Sequence, residues 1–279
     1  MQSLKCSIYP PLRSRVSRME AEIYKIDGSV GGRVELPVVF SEYFDVGLVR
    51  RAILSEQSSR YQPQGHYLLA GMQTTAVYVG TYSGYRRGRH MGIAIRPRQK
   101  LGGGAMGDVR RIPSSVKGRR AHQHKIEKRI EERINREEYK KAMASAIGGS
   151  SNAEMVNKAY AYGKKKVPII VENGIEGLSK TADVVKALIS LGISDTMEAS
   201  HKPRLRRGLR RGIRMRHFRK GVLIVVKDGN AKIGRAARNI PGVDIRSVKE
   251  LDVESLAPGA KPRLAIWSAA AVEELRGGL

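Results

Sequence analysis

From Arg60 to Lys125 no amphipathic period lasts, and this constrains the fold more than any other feature of the sequence. Glycine recurs at 65, 71, 80, 84, 88, 92, 102, 103, 104, 107 and 118, and proline at 63, 97 and 113, so no helix or strand of ordinary length can run through the segment. Asp108 is its only acid, against Arg60, Arg86, Arg87, Arg89, Arg96, Arg98, Lys100, Arg110, Arg111, Lys117, Arg119, Arg120 and Lys125. Nothing in it is expected to form a core. Coreless loops longer than about 15 residues are uncommon inside compact domains, and are either functional or ordered by a partner. With this charge the partner is anionic.

Regular structure is expected on both sides of the loop. Residues 22–26 alternate polar and apolar ahead of Asp27-Gly28, as a strand does before a turn. Asp45 can cap a helix with Val46, Val49, Ile53 and Leu54 on one side and Arg50 and Arg51 outside, fading near Ser59. Beyond the loop, Ile126, Ile130 and Ile134, then Tyr139, Met143 and Ile147, recur at helical spacing. Glu132 to Arg136 and Glu137 to Lys141 are favourable i,i+4 pairs, and Gly148-Gly149 reads as the end of that helix.

A short helix over 153–160 is followed by a strand at 167–171 and a helix over 179–191 carrying Val184, Val185, Leu188 and Leu191. Next come a strand at 222–226, a helix over 231–238, a strand around 243–245, and 264–267 ahead of an alanine-rich helix. This alternation predicts an α/β body with a mostly parallel sheet flanked by helices, the long extended basic loop being inserted after the first helix.

The chain therefore reads as a globular body over 19–59 and 126–279, the loop over 60–125, and a second basic segment over 200–221 within the body. Residues 1–18 carry Lys5, Arg13, Arg15 and Arg18 with no acid, as transit peptides do, but Pro10 and Pro11 would break the helix such a peptide needs. A disordered leader, or a start at Met19, is the better expectation. The second basic segment holds Lys202, Arg204, Arg206, Arg207, Arg210, Arg211, Arg214, Arg216, Arg219 and Lys220 with no acid. Over the whole chain 52 Lys and Arg face 26 Asp and Glu, a net charge of +26, far more than solubility requires. Counterion release draws such a chain to nucleic acid. No stretch approaches the ~20 apolar residues that span a bilayer, and no apolar anchoring face accompanies the charge, so no membrane partner is expected. Cys6 is the only cysteine, which excludes an intramolecular disulfide and a four-cysteine zinc site.

Arginine dominates both basic segments, and its planar fork can contact paired phosphate oxygens and stack on bases. Tyr78, Tyr82 and Tyr85 lie among glycines ahead of Arg86, where they either stack on unpaired bases or pack within the loop. Gly102-Gly103-Gly104-Ala105-Met106-Gly107 fits the letters of a dinucleotide fingerprint but lacks the buried strand before it and the apolar helix after it. His122 and His124, among arginines with no nearby carboxylate, make a poor metal site and a better RNA or solvent contact. Neither a nucleophile elbow, a Walker loop nor a zinc-protease helix is present, so no catalytic residue, metal or cofactor is expected. The expected RNA contacts are the loop cations from Arg86 to Lys125, joined by Tyr82, Tyr85, His90 and His122, and the cations of the second segment.

Four stretches together resemble the archaeal and eukaryotic branch of the large-subunit ribosomal protein L-four family: Ser83-Gly84-Tyr85-Arg86-Arg87-Gly88-Arg89-His90-Met91-Gly92-Ile93-Ala94, Gly118-Arg119-Arg120-Ala121-His122, Ala237-Arg238-Asn239-Ile240-Pro241-Gly242-Val243 and Leu256-Ala257-Pro258-Gly259. The resemblance runs from about Met19 to the C-terminus. It implies a non-enzymatic, structural component of the cytoplasmic large ribosomal subunit that binds large-subunit rRNA and neighbouring ribosomal proteins. It also implies that the loop, with residues 85–98 as its tip and 110–125 as its return arm, lines part of the nascent-peptide exit tunnel and meets the nascent peptide there. Two departures stand out: Gln123-His124 occupy the place of two prolines, and Arg206-Arg207-Gly208-Leu209-Arg210-Arg211 keeps the family's charge more than its identity.

Overall fold

The computed structural model describes residues 19–78, 80, 92–100, 107–160, 162, 166–201, 204–207 and 214–277, and for 201, 204, 206–207 and 214–217 the backbone alone. The expected leader, the tip residues Tyr82, Tyr85, Arg86, Arg87, Arg89 and His90, and Lys202, Arg210 and Arg211 lie outside the described residues. The chain divides into two compact units, one made of residues up to Gln57 with those from Arg133 onward, the other of Ser58–Glu132.

In chain order the elements are β1 (Glu20–Tyr24), β2 (Val30–Glu35), α1 (Val46–Arg60), β3 (Ala76–Val77), β4 (Arg98–Gln99), α2 (Arg136–Ser151), α3 (Ala153–Tyr160), β5 (Ile169–Val171), α4 (Thr181–Ser190), α5 (Ser194–His201), β6 (Arg204–Arg207), β7 (Arg214–His217), β8 (Leu223–Val226), α6 (Ile233–Ala237), β9 (Asp244–Ser247), α7 (Val253–Leu256), β10 (Ala265–Ser268) and α8 (Ala269–Arg276). In the first unit six strands form one sheet in the order β2-β1-β5-β10-β8-β9, antiparallel only between β1 and β2. This is the mostly parallel, helix-flanked sheet that the alternation of elements predicts.

Both faces of the sheet are buried, which is why its central strands read as unbroken apolar runs. Ile170, Leu223, Val225 and Trp267 point to one side, where they meet Val49 and Ile53 of α1, Ala146 and Ile147 of α2 and Val272 of α8. Ile169, Val171, Ile224, Val226 and Ile266 point to the other, against Val184 and Leu188 of α4 and Ile233 of α6. Each such side chain contributes about 1.5–3 kcal/mol on burial. The Phe40 ring meets Trp267 edge-on, with centroids 5.2 Å apart.

Polar side chains fix the ends of elements. Asp45 Oδ1 accepts from the Gly47 and Leu48 amides at the start of α1, at 2.8 and 3.3 Å. Glu56 accepts from the Val253 and Glu254 amides at the start of α7 and from the Tyr139 hydroxyl at 2.7 Å. Burial, and then this hydrogen bond to Glu56, push the Tyr139 phenol above its ordinary range.

Several local expectations are corrected. The helix after the loop starts at Arg136, capped by Asn135, and not at Ile126: Ile126 and Ile130 are exposed, so their spacing has no apolar surface to face. Gly148 and Gly149 do not stop α2, which runs on to Ser151. They are there because a Cβ at Gly148 would strike the Glu42 carbonyl and one at Gly149 the Phe44 ring. Glu137 pairs with Lys140 at 3.6 Å, one position short of the expected Lys141. Leu54 is exposed, and Ala52 completes the buried stripe of α1 instead. No helix among the described residues is long and apolar enough to cross a membrane.

Candidate nucleic-acid interface

The second unit contains the long loop, and it has more order than its composition predicts. Its outgoing and returning arms lie side by side. Next to their base the Glu132 amide donates to Ser58 Oγ at 2.9 Å. Further along, the His66 and His124 rings meet edge-on at 5.4 Å, and Gly71, at φ +76°, lies so close to the backbone of Arg119 that a Cβ would come within 2.7 Å of its Cα. Beyond them β3 pairs with β4, burying Ala76, and Arg98 bridges to Val109. Backbone pairing, with glycine where the arms approach closest, replaces the apolar core the segment lacks.

The cations expected to contact RNA divide into two groups here. Arg98 donates to the carbonyls of Ala94 and Gly107 at 3.1 and 3.0 Å. Arg110, with its side chain only 12% exposed, donates to Gln99 Oε1, the Val116 carbonyl and Asp108, the last at 3.1 Å. These two guanidiniums hold the loop together. Arg111 sits in the left-handed region at φ 68° and is half-buried. By contrast Arg96, Lys100, Lys117, Arg119, Arg120, His122 and Lys125 are exposed, and none of them has an ion pair among the described residues. The distinction is testable. Arg110→Ala is expected to cost the loop about 1–3 kcal/mol of local stability by stranding its acceptors, seen as faster amide exchange at Gln99, Gly107 and Arg110.

The second basic segment, in the first unit, is a hairpin in which β6 pairs antiparallel with β7, Arg204 facing His217 and Arg207 facing Arg214. Its stem is clamped on the body. Ser200 before it is fully buried, and Gly221 after it donates to the Gly242 carbonyl at 2.7 Å. Gly242, at φ +79°, leaves no room for a Cβ against Ser200. Arg219 donates to the Ala159 carbonyl and lies 5.3 Å from the centroid of the Tyr160 ring, while Lys220 donates to Asp244 at 2.9 Å. These two cations anchor the stem.

Sequence reasoning missed the group that organises this stem. Arg263 is 1% exposed and donates to the carbonyls of Gly221, Val222 and Gly242 and to Asp244 Oδ2, the last at 2.6 Å. Burial works to raise the Asp244 carboxyl, but the Arg263 and Lys220 charges override it and hold the group below the usual carboxylate range. No local pattern marks Arg263, because its partners lie far from it in sequence.

The place where open α/β sheets commonly bind anions is partly closed by the chain itself. The Ala270 and Ala271 amides at the start of α8 donate to Asn173 Oδ1 and Ser268 Oγ, at 2.7 and 3.1 Å. Glu176 Oε1 accepts from Ser268 Oγ and the Lys227 amide across the ends of β10 and β8, at 2.6 and 2.9 Å. Among the described residues no group of three or more His, Cys, Asp or Glu could hold a metal ion.

Residues 34–278 match the profile of the ribosomal protein L4/L1 family. The chain is 38% identical over 263 residues to the large ribosomal subunit protein uL4 of Methanococcus aeolicus, covering 92% of this chain and 98% of that protein. The uL4 of Archaeoglobus fulgidus is 38% identical over 261 residues, with the same two coverages. That of Nanoarchaeum equitans is 39% identical over 264 residues, again covering 92% and 98%.

Proposed function

Because the chain belongs to the ribosomal protein L4/L1 family, we propose that it is a structural component of the large ribosomal subunit that binds large-subunit rRNA. The observation that carries this reading is the return arm. No acid interrupts residues 109–126, and Lys117, Arg119, Arg120 and Lys125 stand exposed along a backbone already held in shape. Each phosphate contact there releases counterions, and the preformed arm loses less conformational freedom on binding than a coil would.

In this reading residues 60–125 are the rRNA-binding loop, and the hairpin within 200–221 is a second contact grafted on the body. Residues 85–98 form the tip that lines the nascent-peptide exit tunnel, between rRNA, neighbouring ribosomal proteins and the nascent peptide. Crosslinkers placed at Arg86, Arg87 and Arg89 in assembled ribosomes should capture both rRNA and emerging peptide. A chain absent from large subunits at moderate salt overturns the whole reading, and crosslinks to rRNA alone overturn its tunnel part.

A further inference from the structure

A cleft runs along α6 and β9, from the turn after β8 and the carboxyl ends of β8 and β9 to Arg238 and Val243 at the other end. It encloses about 560 Å³, with Gly229 and Gly234 among its walls and Arg235, Arg238, Arg246 and Glu250 as its charged lining. Asp244 also reaches it, but its carboxylate is held by Arg263 and Lys220. Arg246 faces Asp252 at 4.0 Å. Arg235 and Arg238 are exposed and have neither ion pair nor hydrogen bond from their side chains among the described residues, and the same holds for Glu250. Packing explains Ala237, Ile240 and Val243, which are buried, and Gly242, which meets Ser200, but it does not explain Arg238 among them.

The geometry has a chemical sense. β8, α6 and β9 form a parallel βαβ unit, and open sheets of this kind receive ligands beyond the carboxyl ends of their strands. In nucleotide-binding units a phosphate lies by the turn and helix after the first strand, and an acid at the end of the next strand takes the ribose hydroxyls. Here the Glu250 carboxylate follows β9 and stands beside the Gly229 turn: a Cβ at Gly229 would lie 3.6 Å from each of its oxygens. Cations for a phosphate and a free carboxylate for a sugar hydroxyl thus line one cleft.

We propose that this cleft is a ribonucleotide site, in which Arg235 and Arg238 hold the phosphate and Glu250 accepts a hydrogen bond from a ribose hydroxyl. The occupant is an unpaired nucleotide of bound RNA; a free 5′-mononucleotide offers the same chemistry. The RNA source rests on the function proposed above.

The test uses the full chain, binding a single-stranded oligoribonucleotide, the matching deoxyoligonucleotide and AMP across a salt series. Arg235→Gln with Arg238→Gln should weaken RNA binding about fivefold or more at 0.1 M salt and lower its salt slope by about 0.7, the one phosphate contact that the two share on a single strand. Glu250→Gln should reduce the preference for RNA over DNA severalfold. AMP stabilisation that disappears in the double arginine variant supports the site with free nucleotide as a source; RNA effects without AMP binding support it with RNA as the source. Variants that bind RNA, DNA and AMP like the wild-type chain overturn the proposal while leaving rRNA binding by the loop standing. A wild-type chain that binds AMP in the cleft but no RNA supports the site and overturns the RNA reading.

Discussion

Replacing Arg263 with alanine is expected to remove about 3–5 kcal/mol from the stability of the body, the usual cost of breaking a buried, hydrogen-bonded charge pair from one side. That is a large share of the roughly 5–15 kcal/mol that holds a domain folded. The loss has several parts: the Gly221 carbonyl loses its donor, those of Val222 and Gly242 each lose one of two, Asp244 keeps only the exposed Lys220, and a void opens where the side chain lay. Arg263→Lys keeps the charge without the fork and should recover part of the loss. Urea denaturation of the three chains measures the series, and a Lys or Ala variant as stable as wild type would refute the assigned role.

The same network sets a dependence on pH. The folded carboxyl of Asp244 lies below its ordinary value, so its contribution is fully present above the unfolded pKa of about 3.9. It is lost as pH falls through the lower, folded pKa. In Arg263→Ala the lowering shrinks, and the difference in stability between the two chains should narrow on acidification through that window.

The second large effect concerns the return arm. Changing Lys117, Arg119, Arg120 and Lys125 together to glutamine should lower the salt slope of rRNA binding by about 3 and the affinity at 0.1 M salt by about a thousandfold, since each phosphate contact adds about 0.7–0.9 to the slope. Folding should be little affected, because these side chains are exposed and without ion pairs among the described residues. An unchanged slope would mean that the arm's charge faces solvent in the bound state.

What could be read in the sequence depended on whether the cause was local. The apolar blocks at 222–226 and 264–267 gave β8 and β10 within a residue or so, and α3 has the bounds that its sequence predicts. β2 escaped notice because it is an edge strand with two glycines and no fully buried residue, so it lacks the alternation that reveals a strand. Ile126 and Ile130 show the converse, a helical period with nothing to pack against. In the basic segments, composition located the charge but could not separate Lys117 and Arg119, which are exposed and have no ion pair among the described residues, from Arg98, Arg110, Arg219 and Lys220, which bind their own chain. That separation depends on carbonyls and carboxylates brought close by the fold.

The hydrogen bond between Glu132 and Ser58 has a consequence for how far such a protein can reach. An excursion whose two ends meet leaves and rejoins the chain at nearly one point, so its far end can grow or shrink without altering what is packed at the near end. The entropic penalty of doubling such a loop is only about 0.6 kcal/mol. Reach is therefore almost independent of stability: if the loop enters rRNA as proposed, its depth of penetration is set by the number of residues beyond the paired arms, and the sheet has no part in deciding it.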